Sequence, residues 1–146
     1  MILTMKKLIL LSFLMSTQLF AETVQLKFSN MGNLKGRIAI AVFDNPDSFP
    51  DRASSAVLTK FFPITVVGNS MTATIDLKPG RYAIAAYLDA NSNGVLDKNL
   101  VGIPKERFGF SNNPSVQFSA PNFNECEVEV KAKAVNVQQI NLLKFL

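Results

Sequence analysis

The stretch DANSNGVLD, from Asp89 to Asp97, carries oxygen-bearing side chains at almost every second position. Calcium loops of the EF-hand kind use this spacing, because alternate residues of a tightly curled backbone point inward and a glycine at the sixth position permits the bend. Carboxylate, amide and main-chain oxygens suit a hard cation that takes roughly six to eight oxygen ligands. The spacing predicts a calcium site bent at Gly94. Its predicted ligands are Asp89, Asn91, Asn93, the main-chain oxygen of Val95, and Asp97.

One ligand of the calcium pattern is missing. The twelfth position of such a loop normally holds a bidentate glutamate, and here it is Leu100. Glu106, further along the same polar segment, is the predicted replacement, and Asp44 or Asp47 from a neighbouring loop are alternatives. Because the site carries few carboxylates, we expect weak binding, with a Kd of about 10⁻⁴ to 10⁻³ M.

A second interpretation of the same residues needs no metal. Asp and Asn side chains accept hydrogen bonds from their own backbone in Asx turns, and Asn-Gly is a favoured tight turn. A string of such turns produces the same letters as a calcium loop. Both interpretations stay open from the sequence.

The elements that must position this stretch are β-strands. Apolar and polar residues alternate in TVQLKF, RIAIAVF, SMTATIDL and RYAIAAYLD, and this period of two is typical of strands. AVLTKFFPITV is ambiguous between strand and loop, while SVQFSA, CEVEVKA and VQQINLLKF are further strand candidates. Helical periodicity does not recur. We predict an all-β fold, an antiparallel β-sandwich of about seven strands that is immunoglobulin- or transthyretin-like.

The polar stretch lies in an insertion of about twenty residues within Leu88 to Asn113, whereas hairpin loops usually need about two to five. The insertion contains enough apolar material to fold back onto the end of the sheet, so we expect one long ordered loop. This apolar material is Val95, Leu96, Leu100, Val101, Ile103, Phe108 and Phe110. The two phenylalanines could form a rim that contacts a ligand, but we expect them to plug the end of the sandwich.

The N-terminal segment has the layout of a secretory signal peptide. Lys6 and Lys7 precede an apolar run, Leu8 to Phe20, and Ala21 offers a small residue at the cleavage point. We predict a signal peptide over residues 1–21 and a single domain over residues 22–146. Removal of the two lysines lowers the formal net charge from +4 to about +2. The remaining lysines are scattered singly, which predicts no nucleic-acid partner.

The residue inventory argues against an enzyme. The chain has no histidine and one cysteine. Cys126 shares the apolar side of the alternating stretch ECEVEV, which predicts a buried thiol on a strand rather than a nucleophile. No nucleophile motif of the Gly-x-Ser-x-Gly kind is present. A hydrolase that uses carboxylates from Asp89, Asp97 and Glu106 is the least favoured alternative.

Four motifs within Leu77 to Asn113 resemble the signature of the bacterial domain of unknown function 2141 family. Pro-Gly-x-Tyr-Ala is followed by Asp-x-Asn-x-Asn-Gly-x-Leu-Asp, then by Gly-Ile-Pro-x-Glu and Gly-Phe-Ser-Asn. Many members of that family have histidine where this chain has Leu88. The resemblance implies a small exported all-β protein, similar to transthyretin-like sandwiches. The Asp-Asn-Asn-Gly-Asp pattern is also similar to calcium loops of bacterial surface β-sandwich repeats.

Taken together, these features predict an exported, non-catalytic module of the periplasm or the extracellular space. We expect it to bind a protein or a glycan of the cell envelope, with calcium ordering the loop. No stable membrane anchor is expected once the signal peptide is removed. The alternative is a metal-free accessory protein of an envelope assembly, which would recruit a partner's strand to an unpaired edge such as VQQINLLKF.

Overall fold

A computed structural model describes residues 20–65 and 68–145. Within these residues the regular elements are β-strands, apart from one 3₁₀ turn at Ala53–Ser55 and one short helix, α1, at Phe123–Cys126. The strands are β1 Glu22–Ser29, β2 Arg37–Phe43, β3 Leu58–Pro63, β4 Ser70–Leu77, β5 Gly80–Asp89, β6 Phe108–Phe110, β7 Val128–Val130 and β8 Asn136–Asn141.

The strands form two sheets. One has the order β4-β1-β8, and the other has the order β3-β2-β5-β6, with β7 also pairing with β5. All pairs are antiparallel except β1 with β8, which run parallel. The predicted all-β sandwich is confirmed, with one parallel pair in an otherwise antiparallel arrangement.

The main core lies between the two sheets. Alternate residues of β1 and β4 face those of β2 and β5, as the period of two requires. Val24, Leu26 and Phe28 of β1 are fully buried in this cluster, as are Ile38 and Val42 of β2. The burial follows the alternation that the sequence predicts for these strands.

A second cluster covers the other face of the five-stranded sheet. Phe43 and Ala83 contribute from β2 and β5, while Phe49, Phe110 and Phe123 pack over them. Phe49 contacts the other three rings edge to face, with centroids 5.3 to 6.1 Å apart. Both apolar faces of RIAIAVF are therefore used, as expected for a central strand. Phe108 and Phe110 are buried in this cluster, in agreement with the predicted plug.

One predicted strand is wrong, and another, CEVEVKA, begins later than predicted, at Val128 of β7. Ser115–Ala120 forms no strand, because it has no neighbouring strand among the described residues with which to pair, and the side chain of Phe118 is 99% exposed. Cys126 is fully buried, as predicted, but it ends α1 rather than lying on a strand. A capping box between Asn122 and Glu125 starts that helix, which is a signal present in the sequence as Asn-x-x-Glu.

The predicted signal peptide, Met1 to Ala21, lies almost wholly outside the described residues, which begin at Phe20. Within residues 20–65 and 68–145, no helical segment has the length and hydropathy that crossing a bilayer requires.

Candidate functional site

The polar loop of residues 90–107 connects the end of β5 to the start of β6. In the β2–β5 ladder Arg37 pairs with Asp89, so an arginine on the neighbouring strand stands beside the first residue of the predicted calcium loop. Gly36, just before Arg37, has φ of +112°, and a Cβ there would lie 2.2 Å from the Asp89 carbonyl oxygen. A glycine is therefore required where the two chain segments cross.

The carboxylate of Asp89 is fully buried and saturated with hydrogen bonds. Its Oδ2 accepts from Arg37 Nε at 2.8 Å and from the Gly94 N–H at 3.0 Å, and its Oδ1 accepts from the Asn93 N–H at 3.0 Å. Burial alone would raise the pKa of Asp89, but these hydrogen bonds outweigh it and lower the pKa below its ordinary value. Asp89 is therefore an anion that closes the turn onto Arg37.

Asn91, Asn93 and Asp97 converge above this turn. Asn91 Nδ2 donates to Asp97 Oδ2 at 2.7 Å, and Asn93 Nδ2 donates to both Asp97 oxygens at 3.1 and 3.3 Å. Asn91 Oδ1 accepts from the Asn93 N–H at 3.2 Å, and Asn93 Oδ1 accepts from the Val95 N–H at 2.9 Å. These two backbone contacts are the Asx turns of the metal-free interpretation.

Glu106 ties the two ends of the loop together. Its Oε1 accepts from the Ala90 N–H at 2.9 Å, and its Oε2 accepts from the Asp97 N–H at 3.1 Å. The carboxylate thus satisfies backbone donors on both sides of the turn that begins at Asp89. Glu106 enters the loop from its second half, and both of its oxygens accept backbone hydrogen bonds.

The outer part of the loop is a second turn, built on Asn99. Asn99 Oδ1 accepts from the Val101 N–H at 3.0 Å and from the Ile103 N–H at 2.9 Å. The Lys105 N–H donates to the Asp97 carbonyl at 2.8 Å, and Lys98 and Pro104 form a β-bridge. This second turn is therefore held by backbone hydrogen bonds between the two sides of the loop rather than by apolar packing.

A family profile described as "Uncharacterized protein conserved in bacteria (DUF2141)" matches residues 26–138, which is more than half of the chain. The chain belongs to the DUF2141 family. The resemblance seen in the sequence is thereby confirmed, and the match extends from β1 to β8 with the whole loop inside it. Comparison with curated proteins and with solved structures found no match.

The structure brings most of the predicted site residues of this DUF2141 chain together. Asn91, Asn93 and Asp97 contact each other, Asp89 reaches them through the backbone of Asn93, and Glu106 reaches Asp97 through its backbone. The side chain of Val95 is exposed. Across residues 20–65 and 68–145, no three His, Cys, Asp or Glu side chains cluster in a way that could hold a metal ion.

Two expectations about the surroundings of the loop are wrong. Asp44 and Asp47 follow the far end of β2, about 20 Å from Arg37 along the strand, so they cannot complete a site at Asp89. The loop's own aliphatic residues do not fold back onto the sheet. Val95, Leu100, Val101 and Ile103 are exposed, because hydrogen bonds rather than apolar contacts hold this DUF2141 loop.

Sequence reasoning missed Arg37. Its guanidinium pairs with Asp89, donates from Nη2 to the Ser92 carbonyl at 3.1 Å, and stacks 4.0 Å from the centroid of the Phe61 ring. The positive charge beside the Asp89 carboxylate is therefore supplied by the protein itself. The only sequence signal is an arginine placed directly before an apolar strand, which does not reveal its pairing partner.

Proposed function

We propose that this DUF2141 chain is an exported, non-catalytic β-sandwich module that binds a protein of the cell envelope through its long loop. The contact surface is the loop tip, formed by Leu100, Val101 and Ile103. The observation that carries the proposal is the exposure of these three aliphatic side chains within four positions of one hydrogen-bonded turn. Leu100 is fully exposed and Val101 is 78% exposed.

Rigid exposure of apolar side chains favours recognition of a partner. Contiguous apolar groups on a soluble surface mark interaction sites, whereas single ones are common. A turn that is already ordered loses little conformational entropy when it docks, so more of the contact energy becomes affinity. Aliphatic side chains suit the apolar core of a protein interface. They offer no hydrogen bonds to a sugar, which makes a glycan the second choice.

Export is supported by the start of the fold. β1 begins at Glu22, so cleavage after Ala21 would leave every described strand intact. N-terminal sequencing of the protein from the periplasm or medium of an exporting host tests this. A chain that begins at or next to Glu22 supports export, whereas an uncleaved Met1 in the cytoplasm contradicts it.

Site-specific photocrosslinking tests the loop tip. A benzophenone amino acid at position 101 should give one discrete heavier adduct in intact cells. The matched control is position 135, because Val135 is 89% exposed but lies between β7 and β8, outside the loop. Val101→Asp should remove the adduct formed from position 100, and Val135→Asp should leave it. No adduct from the tip, or the same adducts from both positions, would reject the proposal.

A calcium-stabilised form of the loop is the second candidate, favoured by the convergence of Asn91 and Asn93 on Asp97. These side chains and the Val95 carbonyl would hold the ion, while Asp89 stays with Arg37. Bound calcium would supply positive charge beside Asp97, where the two amides now donate hydrogen bonds. Asp97 would be the one carboxylate among these calcium ligands, which again implies weak affinity.

Thermal unfolding in calcium and in chelator tests the second candidate. With a Kd of about 0.5 mM, 5 mM calcium stabilises the folded state by about 1.4 kcal/mol. For a domain of this size that raises the Tm by about 5 °C. Asp97→Asn should abolish the shift, whereas Asp76→Asn on the exposed side of β4 should retain it. Equal midpoints in calcium and chelator would remove calcium from the proposal and leave the metal-free module.

The remaining alternatives gain less support. Asn113 donates to the Gln139 carbonyl at 2.9 Å and accepts from the Asn141 N–H at 2.8 Å, which covers part of the β8 edge that a partner strand would use. A carboxylate hydrolase would need two free acids facing one pocket. Asp89 and Glu106 instead accept hydrogen bonds from Arg37 or from the backbone of the loop.

A further inference from the structure

A groove of about 240 Å³ lies beside the base of the loop, on the side away from the loop tip. We call it the Arg107 groove. The connection between β1 and β2 forms one wall, with Gly32 and Leu34, and the end of β5 forms the floor, with Leu88. Lys105, Glu106 and Arg107 from the returning loop, and Lys144 after β8, also line it.

Arg107 is incompletely satisfied within the fold. Its Nε is buried, and among residues 20–65 and 68–145 it has no hydrogen-bond partner. Its Nη2 lies 3.8 Å from the position that a Cβ would occupy at Gly32, so the guanidinium extends over a residue that has no side chain. A buried N–H without a partner is costly, and an unpaired one in a native structure calls for an explanation. Nη2 lies beside Gly32, which also lines the groove, so a bound anion would meet this end of the guanidinium.

The charged side chains around the Arg107 groove carry a net positive charge. Lys105, Arg107 and Lys144 contribute three positive groups, and Glu106 contributes one negative group. Both oxygens of Glu106 are engaged by the Ala90 and Asp97 N–H groups, and no ion pair joins Glu106 to Arg107 in the described residues. The groove therefore has a positive potential beside its apolar floor.

We propose that the Arg107 groove binds a small organic carboxylate with a short apolar body. The carboxylate would accept hydrogen bonds from the two terminal Nη groups of Arg107, which form a fork that matches planar anions. The apolar body would lie against Leu34 and Leu88. The groove volume of about 240 Å³ suits a short aliphatic acid such as hexanoate.

This inference is independent of the proposed function. The Arg107 groove and the loop tip share no residue, so a variant of one should leave the other intact. Loss of the photocrosslink at the tip would say nothing about carboxylate binding, and absence of carboxylate binding would not affect the photocrosslink.

NMR titration of the Arg107 Nε–H signal with hexanoate tests the proposal without any substitution. The signal should move as hexanoate is added and report a Kd on the order of 1 mM or tighter. Pentan-1-ol, which has the same apolar body without the charge, and inorganic phosphate, which has the charge without the body, should each bind at least about tenfold more weakly. A response to either probe equal to that of hexanoate would overturn the assignment.

Variants provide the second arm of the test. Arg107→Gln should weaken hexanoate binding at least about tenfold, and Arg107→Lys should also weaken it, since lysine keeps the charge but loses the fork. Arg52→Gln is the matched control, because Arg52 donates to the Asp47 carbonyl at the opposite end of β2. Unchanged affinity in the folded Arg107→Gln or Arg107→Lys variant, or no shift of the wild-type signal at 10 mM hexanoate, would overturn the proposal.

Discussion

The partly buried pair of Arg37 and Asp89 should be the largest single contribution to the order of the DUF2141 loop. The substitution that tests it is Asp89→Asn, which keeps the shape of the side chain and removes its charge. The carboxylate now accepts three hydrogen bonds, one from Arg37 Nε and two from the backbone N–H groups of Asn93 and Gly94. An asparagine has one acceptor oxygen, so at least one of these donors must face an NH₂ group.

The expected cost follows from these contacts. A buried donor left without an acceptor costs about 1 to 3 kcal/mol, and a hydrogen bond to a charged group contributes about 1.5 to 3 kcal/mol. Removing one member of a buried ion pair costs about 3 to 5 kcal/mol. We take the lower end, about 3 kcal/mol, because the Arg37 side chain is 31% exposed and water can solvate its guanidinium. The Tm should fall by about 12 °C.

Urea unfolding and amide hydrogen exchange measure the two parts of this prediction. Urea midpoints give the change in the free energy of unfolding. Exchange at the Asn93 and Gly94 amides reports the loop itself, and their protection should fall more than that of Ile40 in the centre of β2. The double variant with Arg37→Gln should cost less than the sum of the single variants, because the two side chains interact directly.

The control is the exposed pair of Arg81 and Glu127, whose side chains are 72% and 26% exposed. Arg81→Gln should cost less than about 1 kcal/mol, as exposed ion pairs usually do. The reasoning is refuted if Asp89→Asn costs no more than Arg81→Gln, or if the Asn93 and Gly94 amides exchange at their original rates.

Three further outcomes are expected. Folding lowers the pKa of Asp89, so the stability that its carboxylate contributes is present above the unfolded carboxyl pKa of about 4 and is lost as pH falls through the folded value. The difference in free energy of unfolding between wild type and Asp89→Asn should therefore shrink in urea titrations from about pH 6 to pH 2. Burial, with a smaller effect of Glu125, raises the pKa of the Cys126 thiol to about 12. At pH 8, Ellman's reagent should therefore react about a thousandfold more slowly with folded than with unfolded protein. Equal rates would contradict the burial of this thiol. Gly36→Ala should lower the Tm well beyond Gly102→Ala, since both glycines have positive φ but only at Gly36 would a Cβ meet backbone, at 2.2 Å; equal melting points would show that the close approach to Asp89 is not required.

The strands that could be predicted are those whose burial follows from local alternation. RIAIAVF and SMTATIDL are strands with the predicted bounds, because side chains in a strand point alternately to opposite faces whatever their partners. The segment Ser115–Ala120 alternates as well, yet it forms no strand, since alternation does not supply a neighbour with which to pair. The parallel pairing of β1 with β8 also depends on residues more than a hundred positions apart.

The sequence alone determined the local chemistry of the loop. The turns at Asn91, Asn93 and Asn99 use acceptors and donors two to four residues apart, so residue types and spacing were enough to predict a tightly turned polar loop. Only the tertiary structure decided what those turns surround. Arg37 and Asp89 are separated by 52 positions and meet through the register of β2 with β5, which no short pattern encodes. Four aliphatic residues of the loop lie in solvent, because hydrogen bonds between the turn oxygens and backbone N–H groups hold the loop without them.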